Sequence, residues 1–239
     1  VNLQSGLLHW IGVEQSPVSH AERLLSALGG FVAILGVWWI SHAAIEDAVG
    51  AVFVVASMGA SAVLLYAVPH GALSQPWPVV GGHLLSALAG VACQRWIAEP
   101  ALAAALAVGL AIGAMHYLRC LHPPGGATAI TAVIGGEAIH DLGFAYVWCP
   151  VGLNLMVILA IAVLFNAPFR WRRYPVAWAR RDVSPPSHYL ALQHEDLAAA
   201  LERIDSFIDV DEDDLKLIFS LAEEHARNRR IAARRRSRN

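Results

Sequence analysis

Leu121-His122-Pro123-Pro124-Gly125-Gly126-Ala127-Thr128-Ala129 is the stretch on which the fold turns. Two prolines and two glycines interrupt an apolar region just before Ile130-Thr131-Ala132-Val133-Ile134, a run that reads as helix. Proline in the first turn of a helix loses nothing, because that N–H has no partner there. Glycine lets another backbone, or a small ligand, come close. The stretch therefore reads as a broken helix whose N-terminus opens inside a membrane. Such an end carries unpaired N–H groups and a partial positive charge, the ingredients of an anion site.

The membrane setting follows from the composition. Of 239 residues, 56% are apolar and 15% charged, and the mean hydropathy is +0.50. From Phe31 to Ala167 the strong charges are Glu46, Asp47, Arg95, Glu99, Arg119, Glu137 and Asp141, most of them between apolar runs. After Ala167 the chain becomes dense in Arg, Asp and Glu. Several apolar runs approach the ~20 residues that a bilayer crossing needs. A membrane domain followed by a polar tail explains this better than a soluble helical protein with a large core. Cys93, Cys120 and Cys149 show no metal-like spacing and read as small apolar side chains. The first residues show no basic segment and no cleavage site, so no signal peptide is expected.

Six apolar segments are expected, at residues 24–42, 48–68, 79–97, 101–118, 123–134 and 147–165. Ser19-x-x-Glu22 is a capping box leading into the first. Pro100 is placed to start the fourth at its first helical position. If all six cross, Arg23, Arg119, Arg170, Arg172 and Arg173 share one side and Arg95 falls opposite. The positive-inside rule then puts both ends in the cytoplasm. The expected fold class is all-α: a polytopic membrane helical bundle with two broken or short helices in an inverted 3+3 repeat, plus a small helical cytoplasmic tail. The expected divisions are an N-terminal, interfacial segment (1–23), the transmembrane domain (24–168), a membrane-edge linker (169–186) and the cytoplasmic tail (187–239).

The repeat rests on two strings. Gly59-Ala60-Ser61-Ala62-Val63 resembles Gly126-Ala127-Thr128-Ala129-Ile130, and each lies at an equivalent place in its half. Three crossings per half turn the second half upside down, the pattern of transporters whose broken segments meet near the midplane. Plain helix packing by small residues is the competing explanation. If the strings face each other, backbone N–H groups of two helix starts and the Ser61 and Thr128 hydroxyls line a small polar cavity. The expected anion site is thus Gly59, Ala60, Ser61, Gly125, Gly126, Ala127 and Thr128. No Lys lies in the six segments, which fits a site built from dipoles, since a buried permanent charge is costly.

His83, His116 and His122 are the ionisable candidates near this region, and His83 and His122 those expected to carry a proton or gate the site, because histidine titrates near neutral pH and His116 sits late in its helix. Asn154 sits about where His83 sits in the repeat and could face the cavity or merely bridge helices. The alternative for each histidine is a neutral ring bonded to a backbone carbonyl. No zinc site or other metal site is expected, because the histidines lack i, i+4 spacing and carboxylate neighbours. No cofactor is implied. The spans hold no nucleophile motif, phosphate loop or paired carboxylates, so an enzyme is not expected.

In the tail, arginines alternate with Trp171, Tyr174 and Trp178 as a membrane-edge anchor. Residues 194–208 and 211–227 read as amphipathic helices too small to form a core alone, so pairing with copies in a homo-oligomer is expected. Asp209-x-Asp211-x-Asp213 lacks the glycine and the bidentate acid of a calcium loop. The terminal arginines at 229–238 suit anionic lipid, and no nucleic acid is expected.

Leu121 to Ala129 resembles the signature of the HPP family of integral membrane proteins. So does Met58-Gly59-Ala60-Ser61-Ala62-Val63-Leu64-Leu65, followed by Gln75-Pro76-Trp77 and Gly81-Gly82-His83-Leu84. The likeness covers about residues 20–168. Some plastid and cyanobacterial members are linked to nitrite transport. The resemblance therefore implies a transporter or channel for nitrite or a similar small inorganic anion, in a bacterial inner membrane. Many relatives carry CBS-type regulatory domains, but this tail is too short and too helical for a CBS pair. The other expectation is a non-transporting membrane scaffold whose tail assembles subunits or recruits a partner.

Overall fold

The computed structural model describes residues 18–44 and 48–179. Among them the chain is helical and carries no strand. The helices are α1 (His20–Ala44), α2 (Ala48–Ala67), α3 (Pro76–Trp96), α4 (Pro100–Tyr117), α5 (Pro124–Ile134), α6 (Glu137–Leu142) and α7 (Leu153–Asn166). Four stretches, His20–Ala43, Pro76–Trp96, Pro100–Tyr117 and Val147–Asn166, are long and apolar enough to cross a membrane. The protein is thus a multi-pass helical membrane protein. Leu24, Phe31, Trp39, Leu102, Ile112 and Leu164 face outward, which in lipid carries no penalty.

Local sequence explains the boundaries. Ser19 accepts from the Glu22 N–H at 3.2 Å, one half of the expected capping box. The Glu22 carboxylate is drawn instead to Arg172 and to Trp171 Nε1. Pro76, Pro100 and Pro124 each sit in a first turn, where no N–H is needed. Glu99 caps α4 by accepting from the Ala101 N–H at 3.1 Å. At the other end of α4, Cys120 N–H reaches Met115 O and Arg119 N–H reaches His116 O. These are the two bonds of a Schellman turn, here closed by a non-glycine residue, Arg119, at φ 53°. The turn sends residues 120–122 back into the bundle.

Glycines on α3 make room for that return. A Cβ on Gly81 would lie 2.8 Å from Cys120 Cβ, and one on Gly82 would lie 2.5 Å from His122 Cβ. Further along α3, a Cβ on Gly90 would meet the Ala129 carbonyl at 2.5 Å. Gly82, Ser86 and Gly90 thus form a small-residue stripe against α5, whose own Gly125 packs on Gly82 O and Ser86. On the far side, Ala103, Ala107, Ala111 and Met115 of α4 complete this half of the core. A second core joins α1, α2 and α7 through Val37, Met58, Leu65, Ile158 and Ala162.

The helices alternate between two faces. Arg172, after α7, bonds Glu22 at the start of α1 and the Tyr66 carbonyl near the end of α2. Arg95, near the end of α3, lies over the Phe144 ring at 5.3 Å on the opposite face. Burial pulls the Arg172 guanidinium below its usual pKa, while Glu22 pulls it back. The expected linker at 169–186 is described through residue 179 and is no loose tether. Tyr174 Oη donates to Ser74 O at 2.8 Å and Val176 N–H donates to Gln75 Oε1 at 3.0 Å, so it straps the α2–α3 loop.

The structure corrects part of the expected plan. The Gly59–Val63 string opens no helix: α2 runs unbroken through it, since no proline stops it there. Of the two helices expected to be short or broken, α5 is short, with 11 residues. The second interruption lies in the same half as α5, at Val147–Gly152, where Cys149 is extended (φ −136°, ψ 114°) ahead of Pro150, and the first half holds no matching break among the described residues. Proline's ring disfavours the helical conformation for the residue before it. The expected N-terminal segment 1–23 is described only from residue 18, where it feeds α1, and the tail helices expected over 187–239 lie outside the described residues.

Candidate functional site

α2, α3, the return after α4, and α5 bring four polar side chains to one buried place. Ser61 comes from α2, His83 from α3, His122 from the return and Thr128 from α5, and each is 0% exposed. Their hydrogen bonds form one line. His122 Nδ1 meets the Leu73 carbonyl at 2.8 Å, and its Nε2 meets Ser61 Oγ at 2.9 Å. Ser61 Oγ also meets His83 Nε2 at 2.7 Å, and His83 Nδ1 meets Thr128 Oγ1 at 2.6 Å.

The direction of every bond follows from the Leu73 end. A carbonyl only accepts, so His122 Nδ1 carries the hydrogen. The Nε2 of a neutral His122 is then bare and accepts from the Ser61 hydroxyl. Ser61 Oγ accepts in turn from His83 Nε2–H, which leaves His83 Nδ1 bare to accept from the Thr128 hydroxyl. One carbonyl thus sets two tautomers and two hydroxyl orientations. The α5 backbone is engaged nearby: Gly125 N–H bonds His122 O and Gly126 N–H bonds Pro123 O. Tyr146 Oη donates to the Thr128 carbonyl at 3.3 Å. Ser86, one turn beyond His83 and packed against Gly125, has a buried hydroxyl with no partner.

The expected residues therefore divide. Ser61, Thr128, His83 and His122 are brought together, and Gly125 lies against the neighbouring Gly82 and Ser86. Ala60 and Ala127 are exposed, and Gly59 and Gly126 are half-buried with open space where a Cβ would go. Asn154 is elsewhere, donating to Ser41 Oγ on α1 at 2.8 Å. At 1.5 Å per residue, Ser61 lies about 9 Å from the Ala67 end of α2, and His83 about 10 Å from Pro76. The cluster thus lies about a third of the way along α2 and α3 from one end of each. Paired helix starts do not form it, since α2 is continuous there. Sequence reasoning missed Leu73, whose backbone role leaves no side-chain signal. It also missed Ser86, whose four-residue spacing from Gly82 and Gly90 was the available sign. No group of three or more metal-ligating side chains occurs among the described residues.

An apolar bundle of spanning helices around a buried polar line defines a polytopic membrane protein with an internal site. A family profile described as "HPP, transmembrane region" matches residues 15–175, and the chain belongs to the HPP family. Two curated proteins of Dictyostelium discoideum, each described only as a transmembrane protein, are similar to it. One is 39% identical over 175 residues (71% of this chain, 56% of its own length). The other is 35% identical over 177 residues (71% and 61%). The chain thus spans about three-fifths of the length of these relatives. No solved structure matches.

Proposed function

We propose that this protein carries a small inorganic anion across its membrane, with nitrite the first substrate to test, and that the anion is taken at the Ser61–His83–His122–Thr128 cluster. The observation that carries this reading is the unbroken buried line of hydroxyls and imidazoles. Polar side chains inside a membrane bundle are costly and are by default functional. The chemistry favours an anion because every side chain in the line can present an N–H or O–H, and none is a carboxylate suited to a cation. The described strong charges, such as Arg23, Arg95, Glu99, Arg119 and Asp141, lie towards the helix ends. The described state is closed, since both hydroxyls are spent on histidines. Binding an anion requires at least one of these hydroxyls to be freed from its histidine.

An inverted repeat is part of this reading. Ser61 and Thr128 occupy matching places in the two similar strings and grip the two nitrogens of one ring, His83. Two packing pairs correspond, α1 on α2 with α4 on α5 and α3 on α4 with α7 on α1, whereas the extensive packing of α3 on α5 has only a slight counterpart in α7 on α2. The arginine-rich face that holds Arg23, Arg119 and Arg172 faces the cytoplasm on the positive-inside rule. A homo-oligomer in the bilayer remains part of the proposal.

The test is flux into proteoliposomes of purified protein, with nitrite, nitrate, formate and chloride compared against protein-free vesicles. The proposal expects saturable uptake of at least one anion that Ser61→Ala abolishes while the protein stays folded. No protein-dependent flux of any of the four contradicts it and favours the scaffold.

A further inference from the structure

We propose that the anion travels with one proton, taken by His122, and that this proton turns Ser61 from a donor to histidine into a donor to the anion. This rests on the transport reading above and deepens it by naming the second cargo.

The line of hydrogen bonds leaves no idle donor among its members. Thr128 O–H is given to His83, His83 Nε2–H to Ser61, Ser61 O–H to His122, and His122 Nδ1–H to Leu73 O. An anion entering this neutral line finds lone pairs and no counter-charge. One proton placed on His122 Nε2 changes both facts. Nε2–H now points at Ser61 Oγ, which already accepts from His83 Nε2–H. Both lone pairs of that oxygen are then filled, and the Ser61 hydrogen is released to the anion. The line gains one positive charge and one free donor, and the net charge of the proton-plus-anion pair is zero.

Geometry favours His122 over His83 as the proton's seat. Its Nδ1–H is anchored on the Leu73 carbonyl, a fixed partial negative charge that steadies the imidazolium. It comes from the return near the first face, whereas His83 is held within α3. The groups facing it are Ser61 from α2, His83 and Gly82 from α3, Met115 Sδ from α4, and the Leu73 carbonyl. On the far side of His83 lie Thr128 from α5 and, against its carbonyl, Tyr146. Cys120 packs on Gly81 next to the site. None of these is a permanent charge. The partnerless Ser86 hydroxyl, one turn from His83, is a second, ready donor beside the line.

The experiment separates two driving forces in proteoliposomes given nitrite and, separately, nitrate, which resists protonation. One arm imposes a pH gradient, acid outside, with the membrane potential clamped at zero by potassium and valinomycin. The other imposes a potential at equal pH. One-to-one coupling is electroneutral. A one-unit pH gradient then supports about ten-fold accumulation, with a trapped dye reporting internal acidification, and the potential alone drives none. His122→Gln removes the pH-driven accumulation. Flux that follows the potential and ignores the pH gradient overturns the coupling while leaving anion transport standing. Flux of neither anion overturns both.

Discussion

The rings of His83 and His122 stand 5.0 Å apart, centroid to centroid, tilted by 58°, and the Ser61 hydroxyl bridges their Nε2 atoms. The two histidines are 39 positions apart in sequence, and neither lies on the helix that supplies the bridge. The site is therefore a product of helix packing, and its polarity is set by one backbone carbonyl, that of Leu73.

Removing the bridge leaves both rings short of a partner. In Ser61→Ala, His122 Nε2 loses its donor and His83 Nε2–H loses its acceptor. Each buried group so orphaned costs about 1–3 kcal/mol. A lower thermal midpoint in detergent micelles, with the helical signal retained at low temperature, is the expected outcome.

Two adjacent glycines separate packing from ligand approach. A Cβ on Gly125 would lie 2.6 Å from Ser86 Oγ and 2.8 Å from Gly82 O, and the latter, as backbone, does not yield cheaply. Gly125→Ala is expected to cost about 1–3 kcal/mol as an overpacked contact. A Cβ on Gly126 meets nothing within 4 Å, so Gly126→Ala is expected to fold normally and gain up to about 1 kcal/mol of helix propensity. Thermal melts of the two variants check the contrast.

Glu22 and Arg172, 150 positions apart, form a buried ion pair that ties the strap after α7 to the start of α1. Arg172 also donates to Asn166 Oδ1 and to Tyr66 O. Glu22→Gln leaves a guanidinium without its counter-charge, and breaking such a pair costs about 3–5 kcal/mol. Replacing both residues by apolar ones is expected to recover most of the loss, since a buried pair often gains little over hydrophobic packing. Melting of single and double variants reads the difference.

The strap meets the loop beside the site through Gln75 as well as through Tyr174. Gln75 donates to Pro69 O and Gly71 O at 3.0 and 2.9 Å and accepts from Val176 N–H. It thereby holds the loop that presents the Leu73 carbonyl. Gln75→Ala is expected to lower the rate of anion flux several-fold without removing any side chain of the cluster, and uptake assays on folded protein check it.

Much of this was legible in the chain. The membrane helices announced themselves by length and apolarity, and the proline and glycine signals placed the start of α5 within a residue. The similarity of the strings at 59–63 and 126–130 singled out Ser61 and Thr128, and both meet His83. The signal failed where partners are distant. Small residues at 59–62 read as a break, yet without a proline the helix continued. Asn154 matched His83 by position in the repeat, but helix rotation turned it to Ser41. The Glu22–Arg172 pair leaves no periodic trace, because no local pattern records a contact across 150 positions. The closed direction of the hydroxyls was hidden too, since it depends on the Leu73 carbonyl, and backbone groups have no sequence signature.

The most direct test of the account is nitrogen-15 magnetic resonance of histidine-labelled protein in bilayers, followed as nitrite is added at mildly acidic pH. Without nitrite, the account predicts the Nδ1–H tautomer for His122 and the Nε2–H tautomer for His83. With nitrite, it predicts conversion of the His122 signals to those of imidazolium. The reverse tautomers, or two neutral histidines untouched by saturating nitrite and nitrate, would contradict it.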